Sequence, residues 1–200
     1  MKHGAQWKTM VAAAALATVL SGCGPAQPPV ETTAAPDLAA AATASLLSLT
    51  GSAPLAASDP ADGPALTMTR TVHEGAEGQD PHVIVRLEAA VDRYVELHEA
   101  NHTPYDVAAQ TPGGALATAV GSGAATPVLY QVADAAGAPL VCGATAPASM
   151  ALYEDDAGGL VLVGLTLAAF EGTESESGIT IAPLPETAVC GRAVYTAAER

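Results

Sequence analysis

Apolar and polar side chains alternate with a period of two over several short stretches of the chain, the pattern of half-buried strands. Residues 66–72 (LTMTRTV) and 82–87 (HVIVRL) show it first. Four further strands are predicted at 128–133 (VLYQVA), 148–153 (ASMALY), 160–170 (LVLVGLTLAAF) and 189–196 (VCGRAVYT). The 160–170 run is apolar on both of its sides, as expected of a central strand covered on both faces. Gly164 inside it marks a bulge or a close crossing of backbones. Residues 134–137 (DAAG) and 154–159 (EDDAGG) read as hairpin turns.

One segment follows a different period. Leu87, Val91, Tyr94 and His98 recur at three-to-four spacing among good helix formers, and Pro104 ends the run. A helix over about residues 86–101 is predicted, although Val91, Arg93, Val95 and Leu97 also alternate as a strand would. Residues 108–126 are rich in Gly and Ala and read as a loop. The expected fold class is therefore mainly β or α+β: a small antiparallel sheet with one helix.

Upstream, both patterns fade. Residues 24–65 are dominated by Ala, Pro, Thr and Ser and contain no aromatic residue. Such a stretch buries too little apolar surface to offset its ordering entropy, so a disordered tether is expected, with a transient helix at 37–49. The expected organisation is residues 1–22 as a signal peptide, 23–65 as a lipidated N-terminus and flexible linker, and 66–200 as a β-rich globular domain.

The signal-peptide assignment rests on the first 23 residues. Lys2 and Lys8 lie in a short polar opening, residues 10–20 are an apolar run, and Leu20-Ser21-Gly22-Cys23 closes it. A charged start, a short apolar middle and small residues before a cleavage point define a secretory signal. Eleven apolar residues are too few to span a bilayer, which takes roughly 20. The Leu-Ser-Gly-Cys ending resembles a bacterial lipobox. That resemblance implies lipidation of Cys23, cleavage after Gly22 and a mature protein held to the membrane through Cys23. Gly24, standing where Asp would signal inner-membrane retention, implies an outer-membrane protein facing the periplasm.

Cleavage would leave five arginines and no lysine against all 21 acidic residues, a formal charge of −16. A chain this acidic repels nucleic-acid backbones, so no nucleic-acid partner is expected. It also gains nothing from anionic headgroups, which leaves membrane attachment to the acyl chains. A lysine-dependent phosphate loop is excluded.

Export places Cys142 and Cys190 in an oxidising compartment, where a structural disulfide is expected. The histidines carry the sharpest chemistry. His98-Glu99-Ala100-Asn101-His102 matches H-E-x-x-H, and on a helix His98 and His102 would share one face and hold Zn²⁺ with Glu99 as general base. In that respect the pentapeptide resembles the zincin metallopeptidases. No third ligand follows on a helix, and Pro104 interrupts the frame. His73 and His82 add two imidazoles for Zn²⁺ or Cu²⁺ capture without catalysis. The expectation is a lipid-anchored envelope protein, non-enzymatic, with no cofactor: a binding or structural module with an envelope protein partner. A metal-binding protein or zinc-dependent hydrolase at His98, Glu99 and His102 is the alternative.

Overall fold

A computed structural model of the chain describes residues 45–75, 81–100 and 103–198. Eight antiparallel strands close into a barrel. Its strands are β1 (Gly51–Ala57), β2 (Leu66–His73), β3 (His82–Ala90), β4 (Arg93–Glu99), β5 (Val128–Ala136), β6 (Ser149–Glu154), β7 (Leu160–Leu165) and β10 (Val189–Ala197). From β1 to β7 each strand pairs with the next in sequence, and β10 closes the ring between β7 and β1. Strands β8 (Gly172–Ser175) and β9 (Gly178–Ile181) form a separate two-stranded ribbon between β7 and β10.

The mainly β, antiparallel expectation holds, but the sheet is larger than anticipated. Two corrections account for this. First, the predicted helix over 86–101 is the β3–β4 hairpin. Arg86 pairs with Glu96 and Leu87 with Val95, around a tight turn at Val91 and Asp92. Val91, counted toward a buried helical face, is 87% exposed at the turn tip. Second, β1 lies in the stretch assigned to the linker. Ala53 and Leu55 point inward and are buried, while Ser52 and Pro54 point outward. Pro54 is tolerated because its register on β10 falls past the last paired residues, with only its carbonyl engaged, by the Ala198 N–H at 2.9 Å. Without β1 the barrel would expose two unpaired edges.

The interior is filled by side chains, as expected for eight strands. Leu55, Met68, Leu87, Leu97, Leu152, Leu160, Leu162 and Tyr195 form the centre of this core. One end is covered by residues 45–49. Leu46 enters the core, and Ser45 Oγ and the Leu47 N–H both donate to Glu154 Oε1 at 2.7 and 2.9 Å. At the other end the Pro60–Asp62 turn accepts at Asp62 O from the Tyr195 hydroxyl, 3.2 Å away. Leu140 and Val141 of the β5–β6 connection fill the remaining space. That connection begins later than the predicted turn at 134–137, because β5 continues to Ala136 through a bulge at Ala133.

Cys142 and Cys190 are joined across this end with an S–S length of 2.05 Å. Cys190 is the extra residue of a bulge in β10, beside Gly191. Gly191 pairs with Gly164 of β7, and the two missing side chains leave the notch that Cys142 occupies. A Cβ on Gly191 would lie 2.5 Å from Cys142 N, and one on Gly164 would overlap Cys142 Sγ. Gly164 is thus the close crossing its sequence position announced. Closing a loop of 48 residues is worth about 4 kcal/mol of unfolded-state entropy.

Strands β6 and β7 are buried on both faces. Their outer side chains, Ala151, Tyr153, Val161, Val163 and Leu165, form a second core with Leu116, Val120 and Phe170. Helices α1 (Pro104–Gln110) and α2 (Ala115–Val120) supply this cover, replacing part of the predicted loop. Pro104 opens α1 rather than ending an earlier helix. Thr103 caps it, accepting from the Asp106 N–H at 3.1 Å, and proline suits the first helical position.

Candidate functional site

The outer face of β2–β3–β4 carries no such cover, and the polar side chains there meet one another. On each strand the residues between the core positions point outward: His73 with three threonines on β2, His82, Ile84, Arg86 and Glu88 on β3, and Tyr94, Glu96 and His98 on β4. The β3–β4 register sets Arg86 opposite Glu96 and brings His82 diagonally against His98.

A continuous polar ladder results. His82 Nε2 lies 3.2 Å from His98 Nδ1, and His98 Nε2 lies 3.2 Å from Glu96 Oε1. The second Glu96 oxygen faces Arg86 at 3.9 Å. Arg86 donates from Nε to Glu88 Oε2 at 3.0 Å and stacks over the Tyr94 ring, 3.6 Å from its centre. The Tyr94 hydroxyl donates to Asp134 Oδ2 at 2.7 Å. The Glu88 bond holds the Arg86 guanidinium above its ordinary pKa, and the Asp134 bond raises that of the Tyr94 phenol.

Inside the barrel, Tyr130 is 2% exposed. Burial pushes its phenol up to about 12; the Glu99 charge adds to this and Arg70 opposes it. Arg70 Nε is buried without a hydrogen-bond partner. An apolar cavity of about 60 Å³ lies among Val95, Val132, Leu140, Val141 and Met150. Pockets for drug-sized ligands run to about 300–1,000 Å³, so this one is far too small.

The structure separates the residues of the H-E-x-x-H reading. His98 and Glu99 are neighbours on β4, so their side chains leave opposite faces of the sheet, His98 outward and Glu99 inward with Leu97. The helical spacing that would make them ligand and base for one ion is absent at these two residues. His102 lies outside the described residues, as does Cys23. His73 stands directly across from His82 on the same outer face. Among the described residues, no three His, Cys, Asp or Glu side chains are grouped to hold a metal ion. Glu96, Arg86, Tyr94 and Asp134 were not singled out from the sequence. For Tyr94 and Glu96 the signal is the polar half of the strand alternation, which is visible only once 86–99 is read as a hairpin.

No protein-family model, curated protein or solved structure matches the chain.

Proposed function

We propose that this chain is a lipid-anchored protein of the cell envelope, attached through acyl chains on Cys23, and that its barrel is a non-enzymatic binding or structural module. The observation that carries the proposal is Leu20-Ser21-Gly22-Cys23 at the end of a short apolar run behind Lys2 and Lys8. Two acyl chains anchor stably where one binds only marginally. In this reading the mature protein faces the periplasm from the outer membrane. The residues between Cys23 and Ser45, where the chain joins the barrel end, serve as its spacer.

Two structural features support the module half of the reading. The Cys142–Cys190 pair suits an oxidising compartment. The interior is packed with Leu, Met and Tyr, so recognition of an envelope protein partner falls to the outer surface, where β2–β4 offer an uncovered polar face.

Cys23→Ser tests the anchor. The parent protein is expected to sediment with membranes and to carry the mass of a diacylglyceryl group. The variant is expected to lose that mass and leave the membrane fraction. Equal masses, once the single-atom change is allowed for, and equal membrane association would overturn the proposal.

A further inference from the structure

We propose that His82 and His98 form a two-imidazole chelate for a divalent transition-metal ion, with Glu96 as the residue that orients His98. The proposal does not depend on lipidation.

The geometry of the two rings carries it. Two metal–imidazole bonds of about 2.0–2.1 Å, opened to between 90° and the tetrahedral angle, place the nitrogens about 2.9–3.4 Å apart. His82 Nε2 and His98 Nδ1 are 3.2 Å apart. The same chelate places the ring centres about 4.5–5.2 Å apart, whereas a straight N–H···N bond of this length would hold them at about 5.5 Å. They lie 4.8 Å apart. The pair is therefore closer than a straight hydrogen bond holds it, and both of its distances fall within the range of the chelate.

Glu96 supplies the second element of the site. A metal-bound imidazole commonly donates its other N–H to a carboxylate, which fixes the tautomer and the ring plane. His98 Nε2 meets Glu96 Oε1 at 3.2 Å, an arrangement that leaves the Nδ1 lone pair facing His82. Arg86, 3.9 Å from the other Glu96 oxygen, holds the carboxylate in place from the opposite side. An ion entering between the rings needs the His82 proton on Nδ1, a change of tautomer with no net proton released. Water fills the remaining positions; His73 stands opposite His82 in the strand register. Imidazole donors in an open site favour Cu²⁺ over Ni²⁺ and Zn²⁺.

The test is Cu²⁺ titration of the full-length chain carrying H3A and C23S, so that neither an amino-terminal histidine nor a free thiol competes for the ion. Calorimetry is expected to show one ion per chain with a Kd in the micromolar range, and electron paramagnetic resonance two coordinated imidazole nitrogens. H82A and H98A should each weaken this binding at least tenfold. E96Q should weaken it roughly 10-fold while leaving the two-nitrogen spectrum unchanged, which separates positioning from ligation. Thermal melts without copper check that each variant is folded. In melts with Cu²⁺ the parent should gain stability and H98A should not. Absence of binding at 100 µM, or H82A and H98A variants that are folded and bind as the parent does, would overturn the proposal.

Discussion

The two sides of this barrel are built to opposite rules. Along β5–β7 the outer side chains include Leu129, Ala151, Tyr153, Val161, Val163 and Leu165, and helices, a ribbon and Phe170 close over them. Along β2–β4 the outer side chains are Thr, His, Arg, Glu and Tyr with a single apolar one, Ile84, and no helix or ribbon among the described residues packs over them. Both sides contribute apolar inner side chains to one core, with Arg70 and Glu99 of β2 and β4 turned inward near Tyr130. The difference is that one wall has become the middle layer of a three-layer stack, whereas the other keeps the in-and-out alternation of a strand with a wet face. Stability should therefore concentrate on the covered wall, and exposed polar chemistry on the bare one.

The largest effect is expected from Leu162→Ala on β7. Leu162 is fully buried in a strand with apolar contacts on both faces, so the cavity cannot collapse, and a loss of about 3–5 kcal/mol is predicted from urea unfolding. On the bare wall, Arg86→Ala should leave the melting temperature unchanged within error, since it and its partners are a third exposed to water. If the two variants lost similar stability, the contrast between the walls would fail.

Alkaline titration gives an intermediate effect. Tyr130 stays protonated to about 12 in the folded barrel, against 10.0 for a free phenol. A raised pKa on a group that is neutral when protonated stabilises the fold fully below the unfolded value. That contribution, about 2–3 kcal/mol, is lost as the pH rises from 10 to about 12. Denaturant midpoints across this window should fall steeply for the parent and less steeply for Y130F.

Gln110→Ala probes how the cover is fastened. Its side chain accepts from the Leu129 N–H at 3.0 Å and donates to Ala100 O at 3.4 Å, bridging α1 to the ends of β4 and β5. Removing it strands a buried backbone donor, at a cost of about 1–3 kcal/mol. Proteolysis within residues 103–126 should rise before the barrel itself unfolds.

Much of the barrel was legible because alternation is a direct image of two-sided strands. β2, β3, β6 and β10 lie within a few residues of their predicted places, as does the start of β7. Where the sequence misled, specific residues explain it. The β3–β4 turn at Val91 and Asp92 has no Gly, Pro or Asn to announce it, and Glu88, Ala89 and Ala90 favour helix. β1 is made of Gly, Ala, Ser, Pro and a single Leu, so its inward pair Ala53 and Leu55 resembles linker composition. Pro104 is compatible with either the end or the start of a helix, and it is the Thr103 cap that makes it a start. The His82–His98 contact depends on register across a hairpin, which no local pattern encodes.

Native-state amide exchange, followed residue by residue, tests the division most directly. The slowest amides should be those of β6 and β7, opening only with global unfolding, while those of the β3–β4 hairpin exchange through smaller, local openings. Equal protection of the two walls, or earlier opening of β6 and β7, would contradict the account.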